Sequence, residues 1–122
     1  FDSARLTDLG KGQVYLAAER LKEYLERITI RAPRIPVIHN VDVREHADPT
    51  SIRAALVGQA NNPVRWVDCV RRMAEIHGVR TVLECGPGKV LAPLAKRIDD
   101  RLSGIALGDR KAIDLGLITL RA

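Results

Sequence analysis

The stretch from Val79 to Ile98 constrains the fold more than any other part of the 122-residue chain. Val79-Arg80-Thr81-Val82-Leu83-Glu84 has the length and β-branched content of a strand. Cys85-Gly86-Pro87-Gly88 follows as a tight turn. Leu91, Leu94, Ala95 and Ile98 then recur at helical spacing to about Asp99. Pro93 fits that helix only in its first turn, where no amide proton is needed. Ser103 to Leu107 reads as another short strand, and 111–121 as a weak terminal helix.

The segments upstream alternate in the same way. Residues 1–15, with glycines at 10 and 12, carry little periodicity and read as irregular or as a short helix. Leu21, Tyr24, Leu25 and Ile28 then lie at helical spacing, with Glu19, Arg20, Lys22, Glu23 and Glu26 on the other face, which predicts a helix over 16–28. Pro33 and Pro36 break it. Val37 to Val41 reads as a short strand and 42–47 as a polar loop. Asp48-Pro49 is a helix start, with Asp48 as cap and proline at the first helical position. Ile52, Ala55, Leu56 and Gln59 fall on one face of that helix, so Gln59 is an amide on an otherwise apolar stripe. A buried amide without partners costs about 1–3 kcal/mol. Asn62-Pro63 repeats the cap signature and predicts a second helix with Trp66, Val67, Val70, Met73 and Ala74 as its buried stripe. His77-Gly78 ends it, the glycine suiting a left-handed cap. Strands and helices in this order predict an α/β fold.

Charge and cysteines narrow the function classes. Lys and Arg number 20 against 15 acids, a formal net charge of +5. The basic residues are dispersed and interleaved with acids, as at Glu19-Arg20 and Glu26-Arg27, and aromatics make up only 3% of the chain. Single-strand nucleic-acid binders need stacking aromatics beside a basic track, so a nucleic-acid partner is not expected. An acidic protein partner makes better use of a mild positive excess. No apolar run approaches the roughly 18 residues of a membrane span, and the start lacks a signal-peptide pattern, so a cytoplasmic, membrane-free protein is expected. Cys69 and Cys85 are read as reduced thiols. His39, His46 and His77 show no paired ligand spacing, so no metal is assigned.

Three local features invite a chemical reading. Strand–Gly-Pro-Gly-Lys–helix resembles a phosphate cradle. It fails the P-loop pattern, since Leu83 and Val90 stand where Gly and Ser or Thr belong, and it fails the dinucleotide fingerprint because Leu91 follows where Gly is needed. A tight βα turn is the expected role. Cys85 sits at the strand end, and an inert, buried thiol is expected there. The serines are Ser3, Ser51 and Ser103, none in a Gly-x-Ser-x-Gly elbow.

Beyond this the residues act in combination. Val41-Asp42 after Asn40, Gln59 followed by Asn62-Pro63-Val64-x-Trp66, and Glu84-x-Gly86-Pro87-Gly88-Lys89-Val90-Leu91 occur together over residues 17–108. This string resembles the carboxyl-terminal part of the malonyl-CoA:acyl-carrier-protein transacylase family. The resemblance implies the C-terminal portion of an α/β-hydrolase-like acyltransferase subdomain, parallel strands with flanking helices, over 16–122. It leaves 1–15 as a divergent or irregular segment.

The family's chemistry is ping-pong transfer of malonyl from CoA to acyl carrier protein in fatty-acid biosynthesis. A serine on a nucleophile elbow attacks the thioester and a histidine acts as its base. An arginine pairs with the malonyl carboxylate. The resemblance implies no cofactor. The family's serine, histidine and arginine have no counterparts here, and no histidine precedes His39. Together with a first residue that is Phe rather than Met, this leads to the expectation of a fragment, inactive alone and completed by a missing N-terminal half.

One site residue carries over: Gln59, whose main-chain carbonyl would accept a hydrogen bond from the absent catalytic histidine. Lys96-Arg97 matches a basic pair and would help to dock the acidic carrier protein. The alternative is a non-catalytic module that binds acyl carrier protein.

Overall fold

The computed structural model describes residues 7–121, which fall into two units, one up to Cys69 and one from Val70. In chain order the elements are α1 (Asp8–Glu26), β1 (Ile38–His39), β2 (Arg44–Glu45), α2 (Pro49–Asn61), α3 (Trp66–Glu75), β3 (Thr81–Glu84), α4 (Leu91–Ile98), β4 (Ser103–Ala106) and α5 (Arg110–Arg121). The fold is α/β, as its alternating pattern predicts.

In the first unit, α1 begins eight residues before the periodic stripe predicts. Thr7 caps it, its hydroxyl accepting the Gly10 amide at 3.2 Å, and Asp8 adds an acid to the first turn, where the helix dipole favours one. The cap offsets glycines at 10 and 12, which weaken a helix interior by about 1 kcal/mol each. Helix α1 packs against α2. Ala18 is its one fully buried side chain, and Leu21 and Leu25 are half-buried. Tyr24 and Ile28, expected on the packed face, are exposed.

Helix α2 starts as its sequence dictates. The Asp48 carboxylate accepts the Ser51 amide at 2.8 Å and Pro49 occupies the first turn. Ile52 and Ala55 are buried, and Leu56 and Gln59 half-buried. Arg53 reaches back across the interface. Its Nε donates to the Leu25 carbonyl and its Nη2 to that of Ile28, both at 2.9 Å. These carbonyls lie at and just beyond the end of α1, which ends at Glu26.

The strand expected over 37–41 shortens to Ile38–His39, and the expected polar loop contains its partner. β1 and β2 are antiparallel, with Ile38 opposite Glu45 and His39 opposite Arg44. The polar residues themselves turn the chain. Asp42 Oδ1 accepts the Arg44 amide at 3.2 Å, and the Val43 amide donates to the His39 carbonyl at 2.9 Å. Val43 has φ = +60°, a region that a β-branched residue rarely enters.

Asn62-Pro63 does not open α3, contrary to expectation. Asn62 closes α2: its Nδ2 donates to the Gly58 carbonyl at 2.8 Å. The Arg65 amide is taken by the Asn40 carbonyl at 3.0 Å, so the next helix starts only at Trp66. Along α3, Cys69, Val70 and Ala74 are buried and Trp66 and Met73 half-buried. Val67, at the edge of the expected stripe, is exposed.

The second unit is built on a parallel βαβ. Gly78, at φ = +63°, ends α3 as expected, and the Val79 amide returns to the Met73 carbonyl at 3.0 Å. β3 and β4 pair in parallel from Thr81–Ser103 to Glu84–Ala106, and α4 connects them. Ala92 and Ala95 of α4 and Leu102 are buried. Gly104 on β4 lies so close under α4 that a Cβ would collide with the Ala92 backbone. Asp109 caps α5 through the Ala112 amide at 2.9 Å. Gly116 is the buried residue of that helix, while Ile113, Leu115, Leu117, Ile118 and Leu120 are exposed. Among the described residues no helix is long and apolar enough to cross a membrane.

Candidate functional site

The hairpin and the end of α2 gather most of the first unit's polar chemistry. His39 on β1 is 5% exposed, the only buried polar side chain among the described residues. Its Nδ1 lies 3.2 Å from Nε2 of Gln59. The amide N–H donates, so Nδ1 accepts and the ring carries its proton on Nε2. The His46 ring centroid is 5.2 Å away, and its Nε2 is 2.7 Å from Oδ2 of Asp42. Burial holds the His39 pKa below the usual histidine value. The His46 charge adds to the depression and Asp42 partly opposes it. Burial pushes the Asp42 carboxyl up, but the bonds from the His46 ring and the Arg44 amide outweigh it, and the net shift is downward.

Gln59 therefore faces two ways. Its side chain turns to His39. Its main-chain oxygen stands in the last turn of α2, where a helical carbonyl would accept from the amide four residues on. That residue is Pro63, which has no amide proton. The neighbouring Gly58 carbonyl is already taken by Asn62. The oxygen of Gln59 is thus left to a donor from outside the helix. The Trp66 indole N–H is also buried without a hydrogen-bond partner.

The Gly-Pro-Gly turn in the second unit is filled from within. Glu84, the last residue of β3, accepts the Ala92 amide at 2.9 Å and the Val90 amide at 3.2 Å. Its carboxylate occupies the anion position at the start of α4. The bond from Ala92, helped by those from Leu91 and Val90, holds the Glu84 acid below its ordinary range, outweighing the opposing effect of burial. Gly86 has φ = +151°, open only to glycine, and a Cβ on Gly88 would press on Glu84 Oε1 at 3.3 Å. The expected tight βα turn is what forms. Cys85 corrects another expectation: it is exposed. Cys69 is the buried thiol, and burial pushes its pKa up. Both are free.

Lys96 and Arg97 are exposed in the last turn of α4, in a different unit from Gln59. Ser51 lies in the first turn of α2 and Ser103 begins β4. Ser3 is outside the described residues. No three His, Cys, Asp or Glu among the described residues are placed to hold a metal ion. The His39–Asp42–His46 grouping was not legible from spacing, because the hairpin that folds 44–45 back onto 38–39 lies in a tract that reads as loop.

A helix-and-hairpin unit followed by a parallel βαβ unit is an α/β arrangement. No protein-family model matches the chain. The malonyl CoA-acyl carrier protein transacylase of Escherichia coli (strain K12) is 46% identical over 101 residues, covering 83% of this chain and 32% of the relative. The acyl-carrier-protein S-malonyltransferase structure from Burkholderia pseudomallei 1710b superposes with a TM-score of 0.80 at 48% identity, covering 85% of this chain and 34% of that one. A malonyl-transacylase solved in complex with a type II polyketide acyl-carrier protein gives 0.82 at 42% identity, covering 87% and 34%. By sequence and by fold the chain is homologous to the malonyl CoA-acyl carrier protein transacylases. It spans about a third of the length of those relatives.

Proposed function

We propose that this chain supplies the C-terminal part of an acyl-carrier-protein S-malonyltransferase, residues 16–122 forming the end of its large subdomain. In that reading the nucleophilic serine, the base histidine and the malonyl-binding arginine come from residues outside this sequence. The chain contributes the main-chain oxygen of Gln59. That oxygen accepts from the base histidine, fixes its tautomer, and leaves the opposite ring nitrogen free to take the serine proton. The serine attacks the malonyl thioester, CoA leaves, and the acyl-enzyme passes malonyl to the carrier-protein thiol. The observation that carries the reading is the match of 46% identity over 101 residues with the Escherichia coli transacylase. Pro63, which gives the Gln59 carbonyl no helical amide donor, supports the role of Gln59.

Lys96 and Arg97 are the docking pair for an acidic carrier protein in this reading. Their exposure on the last turn of α4 suits that role, and a cation there also complements the helix dipole. The setting is cytoplasmic fatty-acid biosynthesis.

The test is incubation of the chain with labelled malonyl-CoA, with and without acyl carrier protein. No covalent malonyl adduct is expected. An adduct on Ser3, Ser51 or Ser103 would overturn the assignment of the nucleophile to residues outside this sequence.

A further inference from the structure

We propose that His39 is a positioning residue that acts through Gln59: its ring anchors the glutamine side chain so that the glutamine's main-chain oxygen is presented at the end of α2. The proposal rests on the function proposed above and adds the group that holds the acceptor in place.

Three observations converge on it. First, His39 is 5% exposed, and its Nδ1 meets the Gln59 amide at 3.2 Å. A buried ring nitrogen and a half-buried amide each satisfy the other, so neither moves without stranding its partner. Second, the last turn of α2 needs an external anchor. Pro63 gives the Gln59 carbonyl no helical donor, and a helix end lacking its own hydrogen bonds frays. Asn62 secures the Gly58 carbonyl one residue before. The side-chain bond to His39 secures Gln59 itself. It does not use the main-chain oxygen, because the anchor is the side chain.

Third, the hairpin that carries His39 is tied by two backbone hydrogen bonds. Val43 is kept at φ = +60° by its amide bond to the His39 carbonyl, and the Arg65 amide ties Asn40 of the same turn to the loop after α2. Rare backbone states of this kind persist where the surroundings over-determine them. The charged groups that act on the His39 ring are His46 and Asp42, paired to each other at 2.7 Å, while α2 presents the uncharged Gln59. Burial and the His46 charge lower the His39 pKa, with Asp42 opposing, and so favour the neutral ring in which Nδ1 can accept.

The test uses the full 122-residue chain and two readouts. Nitrogen NMR of the His39 ring should show the Nε2–H tautomer, with a Gln59 side-chain amide signal protected from exchange. His39→Phe should speed amide exchange at Gln59, Ala60 and Asn61 about tenfold, the loss of roughly one hydrogen bond. Exchange in β3 and α4 should be unchanged. His39→Gln, whose amide oxygen can accept the same bond, should stay within about twofold of the parent. A freely exchanging Gln59 amide beside an Nδ1–H ring would overturn the proposal, and so would a Phe variant with unchanged exchange at residues 59–61. Should His39→Phe lose its fold, the parent's ring and amide signals decide the matter alone. These readouts involve no transfer chemistry. A negative malonyl assay and a failed anchor are therefore separate results.

Discussion

The two units treat their conspicuous polar groups in opposite ways. In the second, Glu84 turns inward and satisfies the start of α4, so the motif that looks most like a ligand site is closed by the chain's own carboxylate. In the first, an unremarkable run of polar residues folds into a hairpin. With α2 it buries a histidine against Gln59, whose carbonyl has Pro63 where a helical donor would stand. A motif's look in the sequence thus says little about its availability. What decides is whether the surrounding backbone has already used it.

The contrast can be broken unit by unit. The largest effect should come from Gly104→Ala. The added methyl meets the Ala92 backbone, which cannot rotate away, and overpacking of this kind costs about 1–3 kcal/mol. Hydrogen exchange should show β3, β4 and α4 loosened while the His39–Gln59 amides stay protected. Equal loosening of the first unit would mean that the two are not separate units of stability.

Arg53→Ala should act on the other side of the comparison. It removes two hydrogen bonds to the end of α1, and the loss should be about 2 kcal/mol, since charged donors contribute about 1.5–3 kcal/mol each and water partly replaces them. Chemical denaturation with a probe in α1 checks it. The expected signature is early loss of α1 with β3–β4 intact.

A smaller effect should appear with pH. The His39 pKa is depressed in the folded state, so the unfolded chain binds more protons than the folded one as pH falls past about 6.5. The stability that neutral His39 contributes is present above that pH and is lost as pH falls through the folded pKa. Melting of the first unit between pH 7.5 and 5 should show this slope, and His39→Gln should flatten it. An unchanged slope in the variant would assign the dependence to another group.

Much of the fold was written locally. The Asp48-Pro49 cap, the Gly78 stop, and the strand–turn–helix–strand order from 79 to 107 each rest on residues within a few positions of one another. The elements that differ from expectation turn on side-chain bonds to the backbone, or on distant partners, that residue pattern alone does not specify. Asn62 looks like a cap for the next helix, but Gly58 behind it and the Arg65–Asn40 bond make it close the previous one. Residues 42–47 look like loop until Asp42 folds the turn that pairs Arg44 with His39. Gln59 stood out as an amide on an apolar face, yet nothing within a few residues names His39 as its partner, twenty positions away.

The most direct test of the functional reading is a transplant. Residues 17–108 of this chain would replace the matching segment of the Escherichia coli transacylase, and malonyl transfer to acyl carrier protein would be measured. The account predicts that the chimera retains transfer and that its covalent malonyl adduct lies on a serine outside the transplanted residues. A folded chimera that binds malonyl-CoA and forms no adduct would contradict it.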